Sequence, residues 1–122
     1  WHCMSAMVAL AAGQPVQLAE AEAQRLMRRR CASARPMSRL ILALVRRRQG
    51  RHAESLALLQ QAEAGLDACD MGLHAACVRF RRGRWLGGAE GEALSRAARE
   101  WMDAHGVRDP QRMAAAMVPE PC

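Results

Sequence analysis

Residues 50–59 read GRHAESLALL, and residues 88–97 read GAEGEALSRA. Both stretches have a glycine, a glutamate four residues later, a leucine two residues after that and an apolar residue three further on. The segments that precede them also agree loosely, since Leu40–Val45 matches Leu73–Val78. An element that recurs once per pair of helices is typical of stacked helical hairpins. The sequence therefore predicts a helical repeat and not a simple bundle.

The composition predicts an all-α fold. The 122 residues include 25 Ala and eight Met, but one Ile, one Phe and no Tyr, Thr or Asn. Ala, Leu, Arg, Gln, Glu and Met favour helices, whereas the β-branched and aromatic residues that favour strands are scarce. A chain of this length suits one domain, so we expect a single helical-repeat domain over residues 1–122.

Glycine and proline divide the chain into seven segments with a helical spacing of apolar residues. We expect helices over about 1–12, 15–33, 36–50, 52–65, 70–85, 89–105 and 109–118, with Asp70 as the N-cap of the fifth. Short loops make consecutive helices antiparallel neighbours. In the last segment Asp109 is the expected N-cap and Pro110 the first helical residue, and an apolar stripe of Met113 and Met117 should dock this short cap on Trp101 and Met102.

Two resemblances sharpen this prediction. Gly50, Glu54, Ser55, Leu56, Leu59 and Ala62 resemble the turn and second helix of a tetratricopeptide-like repeat. The segment from Ala64 to the C-terminus resembles the extreme C-terminal region of large bacterial serine/threonine protein kinases, through Trp101-Met102 and Gly106-Val107-Arg108-Asp109-Pro110-Gln111-Arg112-Met113. In those proteins a kinase domain, often with an ATPase-like domain, precedes a degenerate helical-repeat tail.

The resemblance implies a tetratricopeptide-like α-α superhelix that packs on preceding repeats of its own chain. It also implies a non-catalytic protein-interaction or regulatory module in a signalling protein. Since the sequence begins at Trp1 and not at Met, we expect a C-terminal fragment of a longer chain. Two alternatives stay open: the helical tail of an ATPase-type transcriptional regulator, and a small basic nucleic-acid-binding domain.

His105, Arg108 and Asp109 look superficially like a kinase catalytic loop. Such a loop needs contiguous His-Arg-Asp, a following Asn and a strand Lys, and this chain contains no Asn and no Lys. Cys69, His74 and Cys77 are the one cluster of metal-ligand residue types, but zinc requires four ligands. We therefore expect no catalytic residue, no metal and no cofactor in this chain, with any kinase active site lying in other parts of the parent protein.

All 18 basic residues are Arg, and the net charge is +6. The third and fifth predicted helices run the same way, so their arginine-rich ends should share one edge of the stack. The candidate partner-binding residues are Arg39, Arg46, Arg47, Arg48, Arg82 and Arg84. These charges either form solvated faces stabilised by the helix dipole or attract an acidic protein or peptide segment. Nucleic acid is disfavoured, because one Phe and no Tyr offer little base stacking.

The cellular context follows from two further features. No stretch approaches the roughly 20 apolar residues of a membrane span, and the longest apolar run is Leu40–Val45. Five scattered cysteines argue against a disulfide framework and for a reducing compartment. We expect a cytoplasmic protein without membrane contact.

Overall fold

A computed structural model of the chain describes residue 7, residues 11–29 and residues 31–119. This part of the chain contains six α-helices and no strand, which confirms the all-α prediction. The helices are α1 (Val16–Met27), α2 (Ala34–Arg48), α3 (His52–Ala68), α4 (Gly72–Leu86), α5 (Gly88–Ala104) and α6 (Pro110–Met117). The prediction was about seven, and its first helix, residues 1–12, lies largely outside the described residues. Met7 and Ala11 of that segment are helical, and Met7 is buried.

Three predicted boundaries are wrong. The helix expected over residues 15–33 is α1, which ends at Met27, since Arg28 and Arg29 donate to carbonyls only three residues back. Gly65 does not end α3, which continues to Ala68. A side chain at Gly65 would place its Cβ 2.8 Å from Cβ of Pro36, so the glycine allows α2 and α3 to approach closely. Asp70 is not the N-cap of α4 either, since Met71 holds that position and Asp70 has a φ of 59°. Asp70 tolerates this left-handed backbone, which reverses the chain between α3 and α4.

Helices α2 and α3 run antiparallel. Pro36, near the start of α2, lies against Gly65 near the end of α3. Further along, the Ser55 hydroxyl near the start of α3 donates to the Ala43 carbonyl of α2 at 2.7 Å. The contacts thus pair the start of α2 with the end of α3 and later residues of α2 with the start of α3. This order defines an antiparallel hairpin, as the short connection between the two helices requires.

Helices α4 and α5 form a second antiparallel hairpin with a closer crossing. At its open end Gly72 leaves room for the Trp101 ring, since an added Cβ would lie 2.8 Å from it. Towards the turn, Gly83 and Gly91 bring the two backbones together, because a Cβ on Gly83 would lie 2.5 Å from the Gly91 carbonyl oxygen. Small residues at the crossing therefore set the distance between α4 and α5.

A buried serine joins three pairs of neighbouring helices, α1–α2, α2–α3 and α4–α5. Each hydroxyl donates to a carbonyl of the preceding helix: Ser38 to Ala23 at 2.7 Å, Ser55 to Ala43 at 2.7 Å and Ser95 to Phe80 at 3.3 Å. All three serines are buried. A satisfied buried hydroxyl of this kind contributes about 0.5–1.5 kcal/mol, and the small side chain allows close packing. The same serine contact thus recurs within both hairpins and between α1 and α2.

The short helix α6 docks mainly on α4 and only lightly on α5, whereas the sequence prediction placed it on Trp101 and Met102. Ala114 and Val118 are its fully buried residues. Met113 and Met117, the predicted stripe, are partly buried against the core. Arg81 of α4 also donates from Nε to the Val118 carbonyl at 2.7 Å. The small Ala114 side chain lets α6 lie close to α4, so the contact shifts away from the longer methionines.

In the described residues, no helix combines the length and the apolar character that crossing a membrane requires.

Candidate functional site

The arginine-rich ends of α2 and α4 lie together, as the topology predicted. The Arg47 guanidinium of α2 lies 4.4 Å above the ring centroid of Trp85 of α4, within the range of a cation–π contact. The same guanidinium approaches His52 Nδ1 at 3.2 Å. Arg47 therefore bridges α2, the start of α3 and the end of α4.

Arg46 has acidic partners inside the chain. Its guanidinium lies 3.5 Å from Glu20 of α1 and 3.4 Å from Glu54 of α3, and Nη1 donates to Gln49 Oε1 at 2.9 Å. Because these partners come from three different elements, Arg46 connects α1, α2 and α3. Its charge is largely neutralised within the fold.

Arg48 binds backbone and not a carboxylate. Its two Nη groups donate to the carbonyls of Gln14 and Gly13, the latter at 2.8 Å. Gly13 has a φ of 83°, so these carbonyls belong to a tight turn that has no helical partners for them. Arg48 thereby fixes the segment before α1 against the end of α2.

Arg82 belongs to a half-buried ion cluster between α3 and α4. Glu63 accepts from Arg79 Nε at 3.0 Å and from Arg82 Nε and Nη2 at 3.3 and 2.9 Å. Asp67 adds a longer contact to Arg79 at 3.5 Å. The cluster shows why the predicted edge is less open than expected, since both of these α4 arginines face α3.

The last two of the six candidate partner-binding residues are Arg39 and Arg84. Among the described residues, neither makes an ion pair. Arg39 is half-buried on α2, while Arg84 is exposed and lies 5.9 Å from the ring centroid of Phe80. Arg84 is thus the candidate that combines exposure with an unneutralised charge.

Arg84 lines a cleft of about 360 Å³ between α4 and α5, closed on one side by Gln111 of α6. Its floor includes Phe80 and Ser95, and its rim carries Arg84, Arg99 and Glu92. Phe80 and Ser95 are buried, whereas the three charged residues are exposed. The cleft is therefore a mostly polar depression with the buried Phe80 in its floor and charged residues at its entrance.

The sequence interpretation missed Arg99, Glu92, Ser95 and Gln111. One signal could have found three of them, because Glu92, Ser95 and Arg99 have the i, i+3, i+7 spacing that places residues on one face of a helix. Gln111 could not have been found in this way, since α6 reaches the cleft only through its docking on α4.

The metal-ligand residue types do not assemble. In the described part of the chain, no group of three His, Cys, Asp or Glu side chains is placed to hold a metal ion. Burial raises the pKa of the Cys77 thiol to about 11, partly offset by Arg81, and burial lowers the pKa of His74. Cys69 is a partly exposed free thiol. Cys77 is thus a core thiol that stays protonated at neutral pH.

The residues that imitate a kinase loop take part in helix termination. The His105 ring stacks on Trp101 with centroids 3.7 Å apart, and its Nδ1 lies 2.7 Å from the Trp101 carbonyl oxygen at the end of α5. Asp109 caps α6 by accepting from the Arg112 N–H at 3.1 Å, and Pro110 is the first helical residue. Each side chain satisfies or covers a helix end.

Chemically, the cleft offers guanidinium groups, an amide and one carboxylate around the buried side chains of Phe80 and Ser95. Ser95 already donates its hydroxyl proton to the Phe80 carbonyl, and no histidine lines this cleft, so its residues suit hydrogen bonding of an anion. Comparisons with family models, curated proteins and solved structures found no match for this chain.

Proposed function

We propose that this chain is a non-catalytic helical-repeat module that binds an acidic segment of a protein or peptide partner. The observation that carries the proposal is a concentration of positive charge around the turn between α1 and α2. Residues 25–35 include five arginines and no acidic residue. Of these, Arg28, Arg29 and Arg35 are exposed and make no ion pair among the described residues. Such a surface attracts acidic partners and accelerates their encounter.

The arrangement of the helices supports the interaction role. In this chain a buried serine contact recurs within both hairpins. Helices joined in sequence as antiparallel hairpins are the building principle of tetratricopeptide-like superhelices. These stacks present extended surfaces to protein partners. An α-α superhelix of this kind is part of the proposal.

The parent protein in this proposal is a bacterial serine/threonine protein kinase with this chain as its C-terminal region. The support is the resemblance of Trp101–Met113 to the ending of such tails. The gene sequence upstream of Trp1 tests it. A glycine-rich loop, a strand lysine and a His-Arg-Asp loop are expected there. An ATPase-type domain joined to a DNA-binding domain, without a kinase domain, would favour the transcriptional regulator instead.

Fluorescence anisotropy with three labelled probes tests the binding function. The probes are a Glu-Ala repeat peptide, the matching Gln-Ala peptide and a duplex DNA of about two helical turns, each titrated at 50 and 200 mM salt. We expect micromolar binding of the Glu peptide, weaker at high salt, and no binding of the Gln peptide. Binding of DNA alone, with a steep salt dependence, would support the nucleic-acid alternative. Binding of none of the probes would refute the proposal.

A further inference from the structure

We infer that the cleft between α4 and α5 is the seat of a single carboxylate of the acidic partner, held between Arg84 and Arg99. The inference rests on the proposed function and deepens it: the basic turn between α1 and α2 attracts the partner, and the cleft recognises one acidic side chain. It assigns to Arg99, Glu92 and Gln111 a role in choosing that side chain.

The first argument is the state of the two arginines. Arg79 and Arg82, on the same helix as Arg84, share the carboxylate of Glu63. Arg84 and Arg99 have no carboxylate within ion-pair distance among the described residues. Both nevertheless line one concave site. Two planar guanidinium groups facing one cleft are suited to a bidentate carboxylate.

The second argument is preorganisation. The Arg84 guanidinium lies 5.9 Å from the centroid of the Phe80 ring, at the outer limit of a cation–π contact, and the ring is itself fixed because Phe80 is buried at 3% exposure. Ser95 is fixed by its bond to the Phe80 carbonyl. A charged group held by a buried aromatic ring loses less side-chain entropy when it binds a ligand.

The third argument is the charge of the cleft, which favours a carboxylate over a phosphate. Arg84 and Arg99 contribute two positive charges and Glu92 one negative charge, because these are the charged residues that line the cleft. A carboxylate brings the site to neutrality. A phosphate monoester carries about −1.5 to −2 at pH 7 and would leave excess negative charge beside Glu92.

The size of the cleft agrees with one side chain of a peptide. Its volume of about 360 Å³ lies at the lower end of the range for small-molecule pockets, roughly 300–1,000 Å³. The cleft is partly open to solvent, so an acidic side chain can enter while the peptide backbone passes outside. The Gln111 amide at the rim can donate a hydrogen bond to that backbone or accept one from it.

Charge-matched variants of the full chain test the seat. Arg84→Gln and Arg99→Gln should each weaken binding of the Glu-Ala peptide about tenfold, as expected when one charge-assisted hydrogen-bonding group is lost. Arg96→Gln, which removes the same charge from the exposed surface of α5 outside the cleft, should change affinity less than about threefold through screened long-range attraction alone. Circular dichroism confirms that each variant is folded.

Glu92→Gln gives an opposite and more specific readout. Removing this carboxylate raises the charge of the cleft, so binding of the Glu-Ala peptide should tighten about threefold or more. Binding of a peptide with one phosphoserine should tighten more than that, since the variant cleft can neutralise a dianion. Glu100→Gln, an exposed change on the same helix outside the cleft, is the control and should leave the order of the two peptides unchanged.

The outcomes separate the inference from the proposed function. If the Glu-Ala peptide binds and its affinity falls equally in all three arginine variants, binding is diffuse and the seat is wrong while the function stands. The same holds if only Arg28→Gln and Arg29→Gln weaken it. A stronger preference of the unaltered chain for phosphoserine would also overturn the seat. If no acidic peptide binds at all, the proposed function fails first.

Discussion

Replacing Glu63 by Gln should destabilise the chain far more than the removal of an ordinary surface charge. Glu63 accepts three hydrogen bonds from Arg79 and Arg82, at 2.9–3.3 Å. The side chains of Glu63 and Arg82 are 14% and 17% exposed, and that of Arg79 is 22% exposed. Glutamine keeps the shape but removes the counter-charge that Arg79 and Arg82 share, and it leaves Arg82 without a carboxylate among the described residues, in a site that water reaches poorly.

The magnitude follows from the degree of burial. Removing one partner of a fully buried ion pair costs about 3–5 kcal/mol, and removing one of an exposed pair costs about 0–1 kcal/mol. Arg79 retains Asp67 at 3.5 Å, whereas Arg82 loses its only ion-pair partner among the described residues. We therefore expect a loss of about 2–3 kcal/mol in the free energy of unfolding.

Urea unfolding followed by circular dichroism measures this loss, with Glu54→Gln as the matched control. Glu54 also lies between two arginines, Arg46 at 3.4 Å and Arg51 at 3.1 Å, but its side chain is 51% exposed. Its replacement should cost less than about 1 kcal/mol. Adding Arg82→Gln to Glu63→Gln should recover part of the loss, because the orphaned charge is removed with its partner. Equal costs for the two single variants would refute the reasoning from burial.

Three further predictions test other features. Burial raises the pKa of the Cys77 thiol from 9.0 to about 11; the folded state therefore keeps a proton that the unfolded state releases, so stability should be full below pH 9 and fall by about 2 kcal/mol towards pH 11. The chain has no Lys or Tyr to titrate in that window, and its other four cysteines are replaced by Ser in both proteins compared. A slope that persists in Cys77→Ala on this background would contradict the prediction. Gly83→Ala places a Cβ 2.5 Å from the Gly91 carbonyl oxygen, so it should lower the free energy of unfolding in urea by about 3 kcal/mol. The control Gly106→Ala should lower it by about 1 kcal/mol, because its Cβ meets no atom within 4 Å. Asp109→Ala removes the N-cap of α6 and should destabilise this helix by about 1 kcal/mol. The loss is measured as faster amide hydrogen exchange in α6, and unchanged exchange would show that Asp109 does not stabilise the helix.

The all-α class could be predicted because it depends on composition, and the tight turns could be predicted because they depend on glycine. Gly50 and Gly106 have φ values of 79° and 83° with open space around them, and both end helices as expected. Gly65 and Gly83 lie inside helices against a crowded neighbour. The same residue type serves a turn in one case and a close approach in the other, and only the neighbouring helix decides which.

The arginine-rich edge was predictable in its location but not in its pairing, and the cleft between α4 and α5 was not predicted apart from Arg84. The shared edge of α2 and α4 follows from chain direction, and the contact of Arg47 with Trp85 bears this out. The partner of Arg82 does not follow from the sequence, because Glu63 lies 19 residues earlier on another helix. A run of arginines shows where the charges are, while the helix packed against it decides which of them are neutralised.

The number of acidic residues limits how many arginines can form ion pairs within the fold. The arginines without such a partner are the ones that can bind an acidic segment of another protein. The first 70 residues contain six acidic residues, and five of them, Glu20, Glu22, Glu54, Glu63 and Asp67, form ion pairs with arginines of the fold. Of these six, Asp70 alone forms no ion pair among the described residues, so this half of the chain has little acidic charge left for the arginines of the turn between α1 and α2. Adding an acid there, as in Ala32→Glu, should weaken peptide binding without altering the helix contacts, since residue 32 is exposed. An unchanged affinity in that variant would show that the positive surface at this turn does not attract the partner.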